Sequence, residues 1–133
     1  MNKLPGVIRQ IQISGVIMLV DVDVDGHEFS AMLIESANHP AWLHTGNTVN
    51  LVFKETEVSL AKGLTGNISL RNRMMCFVQN IERGELLSKI TLTFKQYTIA
   101  SAITTRALDS LQISIGDEIE ALIKSNEVSL MQK

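Results

Sequence analysis

Ser69 and Arg71 stand two apart in "ISLRNRMM", so on an extended segment their hydroxyl and guanidinium point to the same side. Thr104 and Thr105 precede a short helical stretch, which sets a hydroxyl and free backbone N–H groups at a helix N-terminus, a setting that favours an anion. Lys124 closes a strand and adds a full positive charge. All of these groups can donate, and none carries a negative charge. A tetrahedral dianion has four oxygens that accept and none that donates, so it suits such a set. Singly, each residue has a plainer reading: Thr104 as a helix cap, Lys124 as a solvated strand end, Arg71 as a surface ion-pair partner.

Other chemistries are poorly supplied. Asp21, Asp23 and Asp25 share one strand face, opposite Val20, Val22 and Val24. Calcium and magnesium sites usually need loop carbonyls and converging ligands as well, so a solvated face is expected. His27, His39 and His44 have no zinc spacing with each other or with Cys76, and no metal site is expected. Nucleophile-elbow, phosphate-loop and dinucleotide patterns are missing, so no enzyme and no catalytic cofactor are expected. A net charge of −2, with four Phe, one Tyr and one Trp, gives little to hold nucleic acid or an anionic membrane. One cysteine cannot form an internal disulfide. No apolar run reaches the ~20 residues of a membrane span, and the start lacks the layout of a signal peptide. A cytoplasmic protein is expected.

The elements that must position these residues are strands. "GVIMLVDVDVDG" and "HEFSAMLI" read as a hairpin turning at Asp25-Gly26. "TVNLVFK", "CFVQNIERG", "LLSKITLTF", "YTIASAIT" and "DEIEALIK" read as further strands. "SANHPAWLHTG" and "TTRALDSLQISIG" read as the two helical stretches. "KETEVSL" (54–60) and "KSNEVSL" (124–130) agree in five of seven letters, 70 residues apart. Asn2 then matches Asn72, Ile11 matches Ile81, Gly46 matches Gly116 and Lys54 matches Lys124. The chain is an internal duplication. The fold expected is all-β, two tandem OB-like five-stranded barrels with one short helix each, residues 1–63 and 64–133. Each repeated phrase is expected to be the final strand of its own barrel, with Val58, Leu60, Val128 and Leu130 facing the core.

The segment Ser69-Leu70-Arg71-Asn72, the Ala102-Ile103-Thr104 strand end, the "LQISIGDEIEALIKSNEVSL" tail and the "NKLPGVI" start resemble the molybdate-binding Mop modules of the TOBE superfamily. Two in tandem resemble the di-Mop, molbindin-type carriers and the effector region of molybdate-responsive transcription regulators. The resemblance implies molybdate or tungstate as ligand, pockets at contacts between modules or subunits, and a homo-oligomer, a trimer first and a dimer second. It implies storage or buffering of the anion. A regulatory effector module and an OB-type nucleic-acid binder are the rival readings.

The same resemblance implicates Ser69, Arg71, Thr104 and Lys124 as side-chain ligands, with Asn72 in the motif and backbone amides near Leu70 and Ser125. Leu70 replaces the family's alanine, and Ala107 stands where a serine is usual. In the first module Leu33 takes the threonine position, while Ser36 and Lys54 keep the serine and lysine as secondary candidates. Glu35 at the start of that module's helix opposes a dianion. The pocket around Arg71 is therefore expected to be the stronger.

Overall fold

The computed structural model describes residues 1–34 and 39–133. Among the described residues ten strands run in order: β1 (Asn2–Ser14), β2 (Ile17–Val24), β3 (His27–Ile34), β4 (Thr48–Phe53), β5 (Ser59–Ala61), β6 (Asn72–Glu82), β7 (Leu87–Phe94), β8 (Tyr97–Thr104), β9 (Glu118–Ile123) and β10 (Ser129–Gln132). An α-helix, α1 (Thr105–Ser110), follows β8, and 3-10 turns at Glu55–Glu57 and Ser125–Glu127 follow β4 and β9. In the first half, the described part of the expected helical stretch, residues 39–46, forms turns instead. Pro40 lacks an N–H and restricts the residue before it. Leu43 N–H closes a turn on the Pro40 carbonyl at 3.0 Å, and Asn47 Nδ2 binds the Trp42 carbonyl.

Alternation sets the faces. Met18, Val20, Val22 and Val24 are buried on β2, and Ile90, Leu92 and Phe94 on β7, while the residues between them face outward. The β2–β3 hairpin turns at Asp25 and Gly26, whose φ angles of 49° and 85° suit the tight two-residue turn. β1 is long enough to serve two neighbours: Asn2–Val7 pair with β4 and Val7–Ser14 with β2, with the register shifting between Ile8 and Gln10. β6 shifts in the same way between Val78 and Asn80. Such a bulge bends a strand and curls its sheet toward a barrel.

The two sheets do not follow the two halves. Their strand orders are β10-β4-β1-β2-β3 and β5-β9-β6-β7-β8. Each OB-like barrel thus takes its fifth strand from the other half: Ser129–Gln132 pair with Val49–Val52, and Ser59–Ala61 with Glu120–Leu122. This corrects the expectation that each repeated phrase ends its own barrel. Lys54 (ψ 148°) and Val58 (ψ 114°) are extended on either side of a single 3-10 turn. That sequence of conformations offsets the chain rather than reversing it, so β5 leaves the β4 edge and caps β9. The exchange covers two sheet edges that would otherwise be open. Val58 and Val128 are buried, and Leu60 and Leu130 pack against the core, as the alternation requires.

One apolar cluster runs through both barrels. His27 joins them: its Nε2 donates to the Arg73 carbonyl at 2.6 Å and its ring packs on Phe29 and Phe94. Asp25, on the hairpin tip, accepts from Gln96 Nε2 and Tyr97 Oη across the same boundary. Cys76 is buried, and burial pushes its thiol up to about 12.

Candidate anion-binding site

The exchange of strands decides where each candidate ligand goes. The 3-10 turn that follows Lys124 packs against β3 of the first half, and the turn that follows Lys54 packs against β8 of the second. Each lysine is extended (φ −70° and −77°) and exposed at the entrance of its turn. Among the described residues, neither ammonium has a hydrogen bond or ion pair.

Asn72 fixes the start of β6 on the same strand, β3. Its Oδ1 accepts from Ser30 N–H at 2.7 Å and its Nδ2 donates to the Ser30 carbonyl at 2.9 Å. The residue is fully buried, and both ends of its amide are engaged. Asn72 is therefore an anchor that holds Arg71 beside β3. Asn2 repeats the device on β8, with 2.8 Å bonds to the carbonyl and N–H of Ala100.

Arg71 and Ser125 consequently line one cleft of about 500 Å³, with Ser30, Gln12, Leu19 and Met32 on its floor and walls. Arg71 is exposed and, among the described residues, has no ion-pair partner. Arg73, two positions on, is engaged: its Nε and one terminal nitrogen bind both oxygens of Glu120 at 2.6 and 2.8 Å. That fork holds the Glu120 carboxyl below its ordinary range. Of the two arginines in "LRNRMM", only Arg71 is left for a ligand. Ser69 lies exposed in a bend of the segment that leads into β6, and Leu70 is half-buried beside it. Asp21 and Glu28 also line the cleft, so an anion there must sit toward Arg71 and Ser125, away from the acidic strand face.

Thr104 lies elsewhere. It caps α1, its Oγ1 accepting from Ala107 N–H at 3.1 Å, and it lines a separate cleft of about 550 Å³ with Thr105, Arg106 and Leu86. Arg83 closes one wall by a two-bond fork to Asp109 at 2.6 and 2.7 Å, which holds the Asp109 carboxyl low. Thr105 is not an open donor: it is buried, bonded to the Gly84 carbonyl and to Ser88 Oγ. Within one chain, Arg71, Lys124 and Ser125 belong to the β3 side and Thr104 and Lys54 to the β8 side. Ser36 falls outside the described residues. Ser30, the backbone anchor of the cleft, carried no sequence signal, because its role depends on Asn72 arriving from 42 residues away.

Two five-stranded OB-like barrels exchange their last strands, and each exchange point carries an exposed lysine without an ion-pair partner among the described residues, an arrangement suited to a small anion. Comparison with known proteins agrees. The TOBE domain family matches residues 68–130. The cytoplasmic molybdate-binding protein ModG, in a molybdate-bound structure, superposes with a TM-score of 0.93 at 25% identity, over 99% of this chain and 96% of that one. A molybdate-binding protein from Sporomusa ovata is 30% identical over 50% of this chain and all of its own, with a TM-score of 0.50. The molybdenum import ATP-binding protein ModC of Brucella abortus is 31% identical over 83% of this chain, and the molybdenum transport protein ModE of Herbaspirillum seropedicae 28% over 96%. The chain spans 29% and 48% of the lengths of those two relatives. The chain belongs to the TOBE superfamily, as a tandem of Mop modules.

Proposed function

We propose that this protein binds a tetrahedral oxyanion, molybdate or tungstate, and stores or buffers it in the cytoplasm without making or breaking a bond. The observation that carries this reading is the end-to-end likeness to ModG, a protein described as cytoplasmic and molybdate-binding. The geometry supports it. The Arg71 guanidinium is free among the described residues, Lys124 is exposed, and the Ser125 turn opens onto the same cleft. Binding replaces the anion's water by fixed donors, and charge-assisted hydrogen bonds supply most of the affinity. A pocket sized for the longer bonds of the larger anion selects against sulfate.

Thr104 stands apart from Arg71 within one chain, so the full ligand set converges where a second copy brings its β8 end to the first copy's Arg71. The working assembly is thus a homo-oligomer, a trimer before a dimer. The exposed Ile17 and Ile34 near the ends of β2 and β3, and Leu86 and Leu87 at the start of β7, supply apolar surface for that contact. Calorimetric titration with molybdate in excess sulfate tests the reading. Saturable binding that survives the sulfate supports it; no heat at millimolar molybdate overturns it.

A second reading, an oxyanion-sensing effector module, is favoured by one observation: nearly the whole tandem aligns within the longer ModE chain. A molybdate-dependent change in affinity for a partner protein, measured with the purified chain, would favour it over storage.

A further inference from the structure

The two anchors, Asn72 on Ser30 and Asn2 on Ala100, superimpose one half of the molecule on the other. Ser30 lies opposite Asp21 and Ala100 opposite Thr91, so Leu19 and Lys89 occupy equivalent places two residues earlier on β2 and β7. Lys124 corresponds to Lys54, and Ser125 to Glu55. The places that Leu19 and Ser125 take in the Arg71 cleft are therefore taken by Lys89 and Glu55 on the other side. There the Lys89 ammonium stands 3.8 Å from Glu55 Oε2, and the Met1 amino group stands equally far.

Most lining positions differ between the two sides, with Met1 standing where the other has Arg71, and two of the differences are matched to each other. Where one cleft has a hydroxyl beside a leucine, the other has a carboxylate beside an ammonium. A carboxylate is itself an oxyanion, with two oxygens that accept and none that donates. Building on the oxyanion-binding function proposed above, we propose that Glu55 occupies, with its own carboxylate, the anion position of the β8-side cleft. Lys89 holds it there. The chain thus carries a built-in anion in one of its two related clefts and leaves the Arg71–Ser125 cleft for the ligand.

The test is to remove or transplant that carboxylate in the full chain and count molybdate ions by calorimetry in excess sulfate. Glu55→Ser, which copies the Ser125 side, is expected to double the number of ions bound per chain at saturation. Glu55→Gln, which keeps the shape and loses the charge, is expected to raise it as well. Ser125→Glu is expected to weaken the wild-type site at least tenfold. Both Glu55 and Lys89 are partly exposed, so folding is checked by an unchanged melting temperature. If wild-type protein binds molybdate and both Glu55 variants keep the wild-type stoichiometry, the built-in anion is refuted and the function stands. If wild-type protein takes up no molybdate, the function fails and this inference falls with it.

Discussion

Asn72 and Ser30 are 42 positions apart in sequence and joined by two hydrogen bonds of 2.7 and 2.9 Å, with the asparagine fully buried. Asn2 and Ala100 repeat the pair at a separation of 98. These contacts clamp the first residue of each long strand onto the other barrel. Replacing Asn72 with alanine orphans the Ser30 N–H and carbonyl, which costs about 1–3 kcal/mol. A fall in the urea midpoint with little change in slope is the expected result. Molybdate affinity should fall with it, because Arg71 loses its anchor. Full stability in Asn72→Ala would show that the clamp is dispensable.

Arg71 and Lys54 make contrasting predictions. Arg71→Ala should leave the melting temperature unchanged, since the side chain is exposed and unpaired among the described residues. It should lower molybdate affinity by about tenfold to a hundredfold, the range for losing hydrogen bonds to a charged group. Lys54→Ala, on the Glu55 side, should change affinity little. The reverse ranking in a calorimetric comparison would relocate the site to the β8 side.

The order of the sheets predicts an asymmetric response to truncation. Removing Ser129–Lys133 uncovers the edge of β4, in the first half, and leaves β9 paired with β5. Hydrogen exchange should therefore quicken at residues 49–52 and remain slow at 119–123. Loss of protection in β9 instead would mean that the strands are not exchanged.

Acid should destabilise the protein through three carboxylates. Hydrogen bonds from Arg73 hold Glu120 low, and Arg83 does the same for Asp109. The Ser114 backbone and Lys62 hold Asp117 low. A carboxyl whose folded value is depressed stabilises the fold above its ordinary value, 3.8 for Asp and 4.5 for Glu, and that contribution fades as pH falls through the folded value. The melting temperature should be flat near neutrality and decline below about pH 4.5. Glu120→Gln and Asp109→Asn should flatten the decline; an unchanged profile in both would assign the acid sensitivity to other groups.

The sequence by itself determined the strands, the duplication and the set of donor residues from which a ligand is proposed. Alternation at Val20, Val22 and Val24 is local, and so is the turn chemistry of Asp25-Gly26, so both are legible in a few residues. The second half's helix was legible too, down to the cap at Thr104. The stretch around Pro40 was expected to be helical, but its described residues form turns, because Pro40 lacks an N–H and Leu43 closes a turn on its carbonyl. Only the tertiary structure decided which strand closes which barrel. Because the two halves are copies, Ser59–Ala61 and Ser129–Gln132 match either β4 or β9 in pattern and polarity, and nothing local separates the choices. The direction in which one 3-10 turn sends the chain settles it. That direction carries Lys124 and Ser125 to Arg71, carries Lys54 and Glu55 to Lys89, and parts Thr104 from the pocket in which sequence order had placed it.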